Sequence, residues 1–204
     1  MVAKRADPIR DKELCRQILR RVDSINPVIA LQLELEALTG LRYCDSSRLR
    51  PSDVLINGVI RSHFDVVQQK VYNHLITKGA TPAKAKARAT MTVYVGEALR
   101  DVIDDVLNLQ EGKQYLFESS DKTGKPYTAQ WINKILKTVA MELRLNFQLS
   151  SHSFRKTFAM AMVGLDSKLN VTSKALGHAR VSSTEHYLST MDNDVANLVS
   201  QIKY

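Results

Sequence analysis

The feature that most constrains this chain is a set of polar side chains at defined spacing near its C-terminus. Tyr187 follows His178 by nine residues, in a string that begins Leu176-Gly177-His178, and His152 and Arg155 form an H-x-x-R pair upstream. A lone tyrosine at such a position is most often a half-buried aromatic side chain. A tyrosine hydroxyl accompanied by arginines and histidines can instead attack a phosphodiester without a metal ion. The pattern therefore predicts a site where a nucleophile meets a phosphate.

A second arginine lies beside a glycine turn much earlier in the chain. It is Arg42, in Thr39-Gly40-Leu41-Arg42, and Asp45 follows it by three positions. Two interpretations of Asp45 stay open, a salt bridge that orients Arg42 or a plain charge at a helix start. Neither makes it catalytic. Each string alone is a weak signal, but four of them in order over residues 39–187 indicate a common site.

These strings, in this order and spacing, resemble those of the tyrosine recombinases, the family of phage integrases and site-specific invertases. The resemblance runs from about residue 11 to the end of the chain. It implies a DNA recombinase that cleaves and rejoins strands through a 3′-phosphotyrosyl intermediate, in integration, excision, inversion or resolution. It implies no metal, no ATP and no other cofactor.

Hydrophobic periodicity predicts an α+β fold that is mainly α, with one small three-stranded antiparallel sheet. Two strands flank Asn57-Gly58, a strong hairpin signal, with a segment 64–71 that prolongs the second and a returning edge strand at 90–95. Helices are predicted at 11–23, 27–38, 46–49, 96–109, 128–143, 153–163 and 171–176. The resemblance implies that this fold is that of a helical tyrosine recombinase catalytic domain.

The resemblance also implies a lysine general acid on the hairpin that reaches the DNA minor groove. We assign it to Lys70, with Lys78, Lys84 and Lys86 as open alternatives. Residues 78–88 are basic and rich in small side chains, and they predict an exposed loop or short helix. Lys78, Lys84, Lys86 and Arg88 are candidate DNA-binding residues, although a solvated basic loop is the plainer interpretation.

Residue chemistry suggests how such a site would work. A tyrosine hydroxyl has a pKa of about 10 and needs activation at neutral pH. Arg42 and Arg155 can present planar forks of donors to the nonbridging phosphate oxygens. His152, one helical turn from Arg155, can bind the phosphate or handle the tyrosine proton. His178 supplies another donor, and the family role of Lys70 is to protonate the leaving 5′ oxygen.

Both ends of the chain carry further expectations. Residues 1–10 are interpreted as a leader and residues 11–204 as the catalytic domain, which resembles compact single-domain members or the catalytic half of something longer. After Tyr187, residues 192–203 carry an acidic cap and a narrow apolar stripe. The resemblance implies that this C-terminal helix docks into a neighbouring subunit of a homotetramer on DNA. Packing on its own domain is compatible with the same stripe.

Composition supports these interpretations. With 29 Lys and Arg against 21 Asp and Glu, the chain has a net charge of +8, which favours a polyanionic partner such as double-stranded DNA. The resemblance adds a specific recombination site and accessory DNA-bending proteins. The chain has only two cysteines, and it lacks both a long apolar run and the apolar core of a signal peptide. These features predict no membrane partner and a cytoplasmic location. We expect that location to be at the nucleoid, in a bacterial cell or a phage-infected host.

Three other functions would account for part of this pattern. A DNA-binding regulator on a decayed scaffold would keep the basic surface but would not need all five polar groups. A type IB topoisomerase shares the nucleophile chemistry, yet the apolar tail argues mildly against it. A metal hydrolase built on His152 and His178 lacks carboxylates or cysteines at ligand spacing.

Overall fold

The computed structural model describes residues 6–121, 124–165, 168–177, 182, 184 and 185. Over these residues the chain is mainly helical with short antiparallel strands, which confirms the predicted fold class. In chain order the elements are α1 (Lys12–Asp23), α2 (Pro27–Thr39), α3 (Tyr43–Ser46), α4 (Pro51–Val54), β1 (Leu55–Ile56), β2 (Val59–Ile60), β3 (His63–Val67), α5 (Gln69–Thr77), α6 (Pro82–Ala89), β4 (Thr90–Tyr94), α7 (Glu97–Leu109), α8 (Ala129–Glu142), α9 (Ser151–Gly164) and α10 (Leu169–Ala175).

Helix α2 is the central element of the core, and its ends are defined by local signals. Its sequence is apolar on most faces, and it packs against α1, α7 and α9. The Asn26 side chain accepts a hydrogen bond from the Ile29 backbone N–H at 3.0 Å, and Pro27 occupies the first helical position. At the other end Gly40 adopts the left-handed conformation, with φ of 66°. The α2 helix therefore stops directly before Leu41 and Arg42.

The predicted single three-stranded sheet is wrong in detail. The described residues form two separate two-stranded antiparallel sheets, β1 with β2 and β3 with β4. In the second, His63 lies opposite Tyr94 and Val67 opposite Thr90. Arg61 and Ser62 separate β2 from β3, because the Arg61 N–H bonds to the Val54 carbonyl next to β1, whereas the Ser62 carbonyl accepts from the Val95 N–H next to β4. The tight turn at Asn57-Gly58 forms as predicted, with both residues at positive φ.

The strand predicted for residues 64–71 ends early, at Val67. The Gln68 N–H still bonds across to the Ala89 carbonyl, but the Gln69 N–H bonds to the buried carboxylate of Asp45 at 2.9 Å. This contact turns the chain away from the sheet and starts α5. Lys70 therefore lies in the first turn of a helix and is exposed, and does not lie at the end of a strand as predicted.

Helices α5 and α6 pack together as a helical hairpin between β3 and β4. The sequence prediction allowed a loop or a short helix over 78–88, and α6 is that helix. The Thr81 hydroxyl caps it and Pro82 begins it, and the alternating alanines, lysines and arginine that follow are strong helix formers. Ala85 and Ala89 are buried, and the basic residues between them are exposed.

The segment that precedes α1 packs on the body of the chain. Ile9 is only 2% exposed, and its N–H donates to the Thr157 hydroxyl of α9 at 2.9 Å. In the stretches that the structure describes, no helix is both long enough and apolar enough to cross a membrane. Residues 186–204, including the predicted helix at 192–203, lie outside those stretches.

Candidate functional site

The turn that carries Arg42 has its shape because two small residues precede it. Thr39 donates its hydroxyl to the Leu35 carbonyl at 2.7 Å and accepts from the Leu41 N–H at 3.2 Å. A Cβ on Gly40 would lie 2.4 Å from the Phe158 ring of α9. Gly40 is thus required both for its positive φ and for the close approach of α9. This turn places Arg42 at the N-terminal cap of α3.

Arg42 is held from one side by a residue that the sequence analysis missed. Its Nη1 donates to Gln68 Oε1 at 2.5 Å, whereas the Asp45 carboxylate lies further away, with Oδ2 at 4.0 Å. The Arg42 side chain keeps 19% of its surface exposed, and that of Asp45 is fully buried. The geometry favours the orienting interpretation of Asp45 over that of a plain charge at a helix start. The shorter contact belongs to Gln68, immediately after β3.

Arg155 lies in the second turn of α9 and is 3% exposed. One guanidinium nitrogen donates to the Gly40 carbonyl, and Nη2 donates to the Leu176 carbonyl at 3.0 Å. The fork of donors thus joins the turn after α2 to the turn after α10. Both arginines of the predicted site consequently meet at the Thr39-Gly40-Leu41-Arg42 turn.

The Leu176-Gly177 turn is fixed from the opposite side by Gln68. The Gln68 Nε2 donates to the Gly177 carbonyl at 3.1 Å while its Oε1 accepts from Arg42. Gly177 has φ of 61°, and a Cβ there would lie 1.5 Å from Gln68 Nε2. A side chain at position 177 would displace Gln68. Gln68 is itself 2% exposed, and its position two residues before Lys70 was the available sequence signal.

His152 lies near the N-terminus of α9, and its ring still reaches solvent. Its pKa is lowered from the ordinary value, first because surrounding protein atoms desolvate the ring, and then because Arg155, Arg42, Lys70 and Lys156 place positive charge around it. At pH 7 the imidazole is therefore mainly neutral and can accept a proton. Arg42, Lys70 and Arg155 are thus close enough to act on the His152 ring, and we treat these four residues as one cluster.

Other predicted residues lie away from this cluster or beyond the described part of the chain. Lys78 caps the end of α5, and Lys84, Lys86 and Arg88 are exposed on α6. His178 and Tyr187 fall outside the described residues. The continuously described part of the chain ends at Gly177, directly before His178. Within the described ranges, no three His, Cys, Asp or Glu side chains are grouped so that they could hold a metal ion.

A buried polar group beneath the arginines was also missed. Gln32 and Glu36 of α2, and Ser46 of α3, are all 0% exposed. Gln32 Nε2 donates to Ser46 Oγ at 3.0 Å, and Ser46 Oγ donates to Glu36 Oε1 at 2.7 Å. Gln32 and Glu36 are four residues apart and share one helix face. The sequence signal was this polar pair on one face of a mostly apolar helix.

Comparison with known proteins gives three findings. The model of the phage integrase family matches residues 10–194. The tyrosine recombinase XerD of Staphylococcus epidermidis is 26% identical over 170 residues, which cover 83% of this chain and 52% of that protein. The chain thus spans about half the length of the curated relatives it matches.

Two solved structures show the same fold. The crystal structure of XerA recombinase superposes with a TM-score of 0.69 at 17% identity, over 98% of this chain and 68% of the other. XerH site-specific recombinase bound to difH substrate, in a pre-cleavage complex, gives a TM-score of 0.64 at 15% identity, over 98% and 55% of the two chains.

Proposed function

Since the chain belongs to the phage integrase family, we propose that it is a site-specific recombinase that cleaves and rejoins DNA strands through a 3′-phosphotyrosyl intermediate. One observation carries the proposal: Arg42 and Arg155, 113 positions apart in the sequence, converge on one turn beside His152 and Lys70. Four cationic or basic side chains around one point suit a phosphodiester that gains negative charge in the transition state.

In the proposed reaction the Tyr187 hydroxyl attacks the scissile phosphorus. Arg42 and Arg155 stabilise the charge on the nonbridging oxygens, and His178 donates a further hydrogen bond. The tyrosine proton passes to His152, whose imidazole is mainly neutral at pH 7 because its pKa is lowered. A bond forms between the tyrosine oxygen and phosphorus while the bond to the 5′ oxygen breaks, and a new 5′ hydroxyl later reverses both changes on the partner strand.

The leaving 5′ oxygen requires a proton, and we propose Lys70 as its donor. Support comes from position: Lys70 follows Gln68, which bonds Arg42, and Gln69, which bonds Asp45. Its charge is among the main causes that lower the pKa of His152, and the charges of Lys78, Lys84 and Lys86 are not among those main causes. Lys70 is thus the hairpin lysine nearest the cluster by this measure.

We propose double-stranded DNA with a specific recombination site as the partner. The solved XerH complex holds difH substrate, and the Tn1549 transposon integrase is solved in complex with circular intermediate DNA. In this chain residues 69–89 carry Lys70, Lys78, Lys84, Lys86 and Arg88 and no Asp or Glu. Such an exposed basic helical hairpin suits contacts with backbone phosphates. Helix α6 carries three of these charges, and it spreads them over a wider surface than a tight turn between two strands would.

The remaining parts of the proposal concern assembly and place. We propose that residues 11–204 form the catalytic domain and that its C-terminal segment, about 192–203, exchanges between subunits of a homotetramer on DNA, with accessory DNA-bending proteins. Matched relatives are bacterial or phage proteins. We place this chain at the nucleoid, in the cytoplasm of a bacterial cell or a phage-infected host.

The test is a denaturing capture of protein-linked DNA from cells that express the chain, followed by sequencing of the trapped ends. Tyr187→Phe is the decisive variant and Tyr204→Phe the matched control, since both remove one hydroxyl near the C-terminus. We expect adducts from the wild type and the control, at a recurring sequence, and none from Tyr187→Phe. Adducts that persist in Tyr187→Phe would show that another residue is the nucleophile, and their absence from the wild type would refute cleavage activity.

A further inference from the structure

The carboxyl group of Glu36 lies in the core directly beneath the predicted catalytic arginines. It is 0% exposed in the last turns of α2, and its backbone carbonyl accepts the Gly40 N–H at 2.9 Å. The Gly40 carbonyl in turn accepts from Arg155. Glu36 is therefore one backbone hydrogen bond away from the contact that holds Arg155.

The side chain of Glu36 also anchors the helix that follows Arg42. Ser46, the last residue of α3, donates to Glu36 Oε1 at 2.7 Å, and Gln32 donates to the same hydroxyl at 3.0 Å. Helix α3 has only four residues, and it carries Arg42 at its cap and Asp45 within it. A helix this short takes its position from tertiary contacts more than from its own hydrogen bonds.

Three buried acceptors in this region have no hydrogen-bond donor among the described residues: Gln32 Oε1, Glu36 Oε2 and Asp45 Oδ2. A proton on Glu36 would convert its Oε2 from an unpaired acceptor to a donor beside the Gln32 amide. Without that proton, Glu36 Oε2 is a buried charged acceptor with no hydrogen bond among the described residues, and the Asp45 carboxyl lies near it. The arrangement of the atoms therefore favours a neutral carboxyl.

We propose, on the basis of the proposed recombinase function, that Glu36 is a positioning residue whose neutral carboxyl holds α3 and the Gly40 turn together and whose ionisation weakens the hold of Arg155 on phosphate. Three charged or titratable groups face it, Arg155 from α9 and Asp45 and Tyr43 from α3. An ionised Glu36 would add a second anion beside Asp45 and would compete with phosphate for the Arg155 guanidinium.

Burial is consistent with this role. It raises the pKa of Glu36 to about 8; the polar contacts of the Ser46 and Gln32 side chains and the Arg155 charge oppose the rise, and Asp45 adds to it. The protonated fraction of an acid with that pKa falls about tenfold between pH 7 and pH 9. Cleavage that requires neutral Glu36 should fall by the same factor.

The experiment compares Glu36→Gln, Glu36→Leu and Glu34→Gln with the wild type. Gln keeps a neutral side chain that can hydrogen-bond Ser46, and Leu keeps volume but no polar atom. Glu34 is the control, a half-buried glutamate of the same helix whose raised pKa comes from burial and from Asp105 and Asp23. The substrate is a nicked duplex carrying the sequence recovered by adduct capture, and cleavage rates are measured from pH 6.5 to pH 9.

We expect wild type and Glu34→Gln to lose about tenfold in rate between pH 7 and pH 9, and Glu36→Gln to lose almost none. Glu36→Leu should cleave more slowly at every pH while its far-UV circular dichroism stays native. Identical pH profiles for wild type and Glu36→Gln would overturn the proposal, and so would full activity of Glu36→Leu. If Glu36→Leu does not fold, the Glu36→Gln comparison still decides.

A separate readout keeps this inference distinct from the proposed function. The pH dependence of unfolding reports the ionisation of Glu36 without any DNA. No cleavage by the wild type on any duplex would refute the recombinase function and with it the role of Glu36 in cleavage. Normal cleavage with a pH-independent difference in unfolding between wild type and Glu36→Gln would refute the inference about Glu36 alone.

Discussion

Replacing Glu36 by glutamine should change how the stability of this protein depends on pH. The folded-state pKa of about 8 lies above the ordinary value of 4.5, which the unfolded chain retains. Below pH 4.5 both states bind the proton, and the stabilising contribution of the neutral carboxyl is fully present. As pH rises from 4.5 to 8 the unfolded state releases its proton while the folded state keeps it, so that stability falls.

The size of the effect follows from the same two values. At about 1.4 kcal/mol per pH unit, the rise from 4.5 to about 8 corresponds to a loss of about 5 kcal/mol, complete near pH 8. Domains are commonly stable by only about 5–15 kcal/mol. One buried carboxyl is therefore expected to dominate the pH dependence of unfolding in this range.

The assay is urea unfolding followed by far-UV circular dichroism at half-unit steps from pH 4.5 to pH 8.5. The quantity compared is the free energy of unfolding of Glu36→Gln minus that of the wild type. It should grow by about 1.4 kcal/mol per pH unit between about pH 5.5 and 7.5. Over that whole range the difference between the two unfolding midpoints should grow by about 1 M urea, if the free energy of unfolding falls by about 2–3 kcal/mol per M urea. The Glu34→Gln control should give a smaller slope. A difference that does not vary with pH would refute the reasoning.

Three further predictions concern the remaining contacts of the site. Arg155→Lys removes the fork that reaches both the Gly40 and Leu176 carbonyls. We therefore expect the free energy of unfolding in urea to fall by about 1–3 kcal/mol and adduct formation to fall by at least about 100-fold, and an unchanged adduct yield would contradict the assignment. Gly177→Ala should lower the free energy of unfolding by about 1–2 kcal/mol because of its positive φ, and it should also reduce cleavage because the new Cβ displaces Gln68. The control is Gly79→Ala, since Gly79 also has a positive φ but open space around it. Equal activity of the two variants would count against the role of Gln68. Removing three charges of α6 should make the dependence of log affinity on log salt less steep, by up to about 3, for a mixed-sequence duplex. The control Lys134→Gln on α8 should change this slope little. An unaltered slope in the triple variant would show that α6 does not contact the DNA. The triple variant replaces Lys84, Lys86 and Arg88 by glutamine.

Local signals in the sequence accounted for most of the elements. Helices α2 and α6 begin at a cap followed by a proline, Asn26-Pro27 and Thr81-Pro82, and the Asn57-Gly58 turn forms where that dipeptide predicts it. The short helix predicted at 46–49 forms instead at Tyr43–Ser46. The strand at 64–71 was wrong at its end because the Asp45 carboxylate takes the Gln69 N–H, a contact between residues 24 positions apart. Nothing in the apolar run at 64–71 itself carries that information.

The candidate site divides in the same way. Arg42, His152 and Arg155 were identified from their strings, and the structure brings them together with Lys70. Gln68 and Glu36 were missed because neither forms part of a recognised string, and their importance comes from partners far along the chain. Predictions for His178, Tyr187 and residues 192–203 remain predictions, since those residues lie outside the part of the chain that the structure describes.

The sequence by itself determined the class of fold, the family and the identity of the residues expected to act on a phosphate, because these depend on local caps, periodicity and short strings. Only the tertiary structure decided which groups hold them: Gln68 reaches Gly177 across 109 residues, and Arg155 reaches Gly40 across 115. The physical reason is that a hydrogen bond across the core depends on how helices pack and on which donors that packing leaves buried. A single sequence encodes both, but no local pattern displays them.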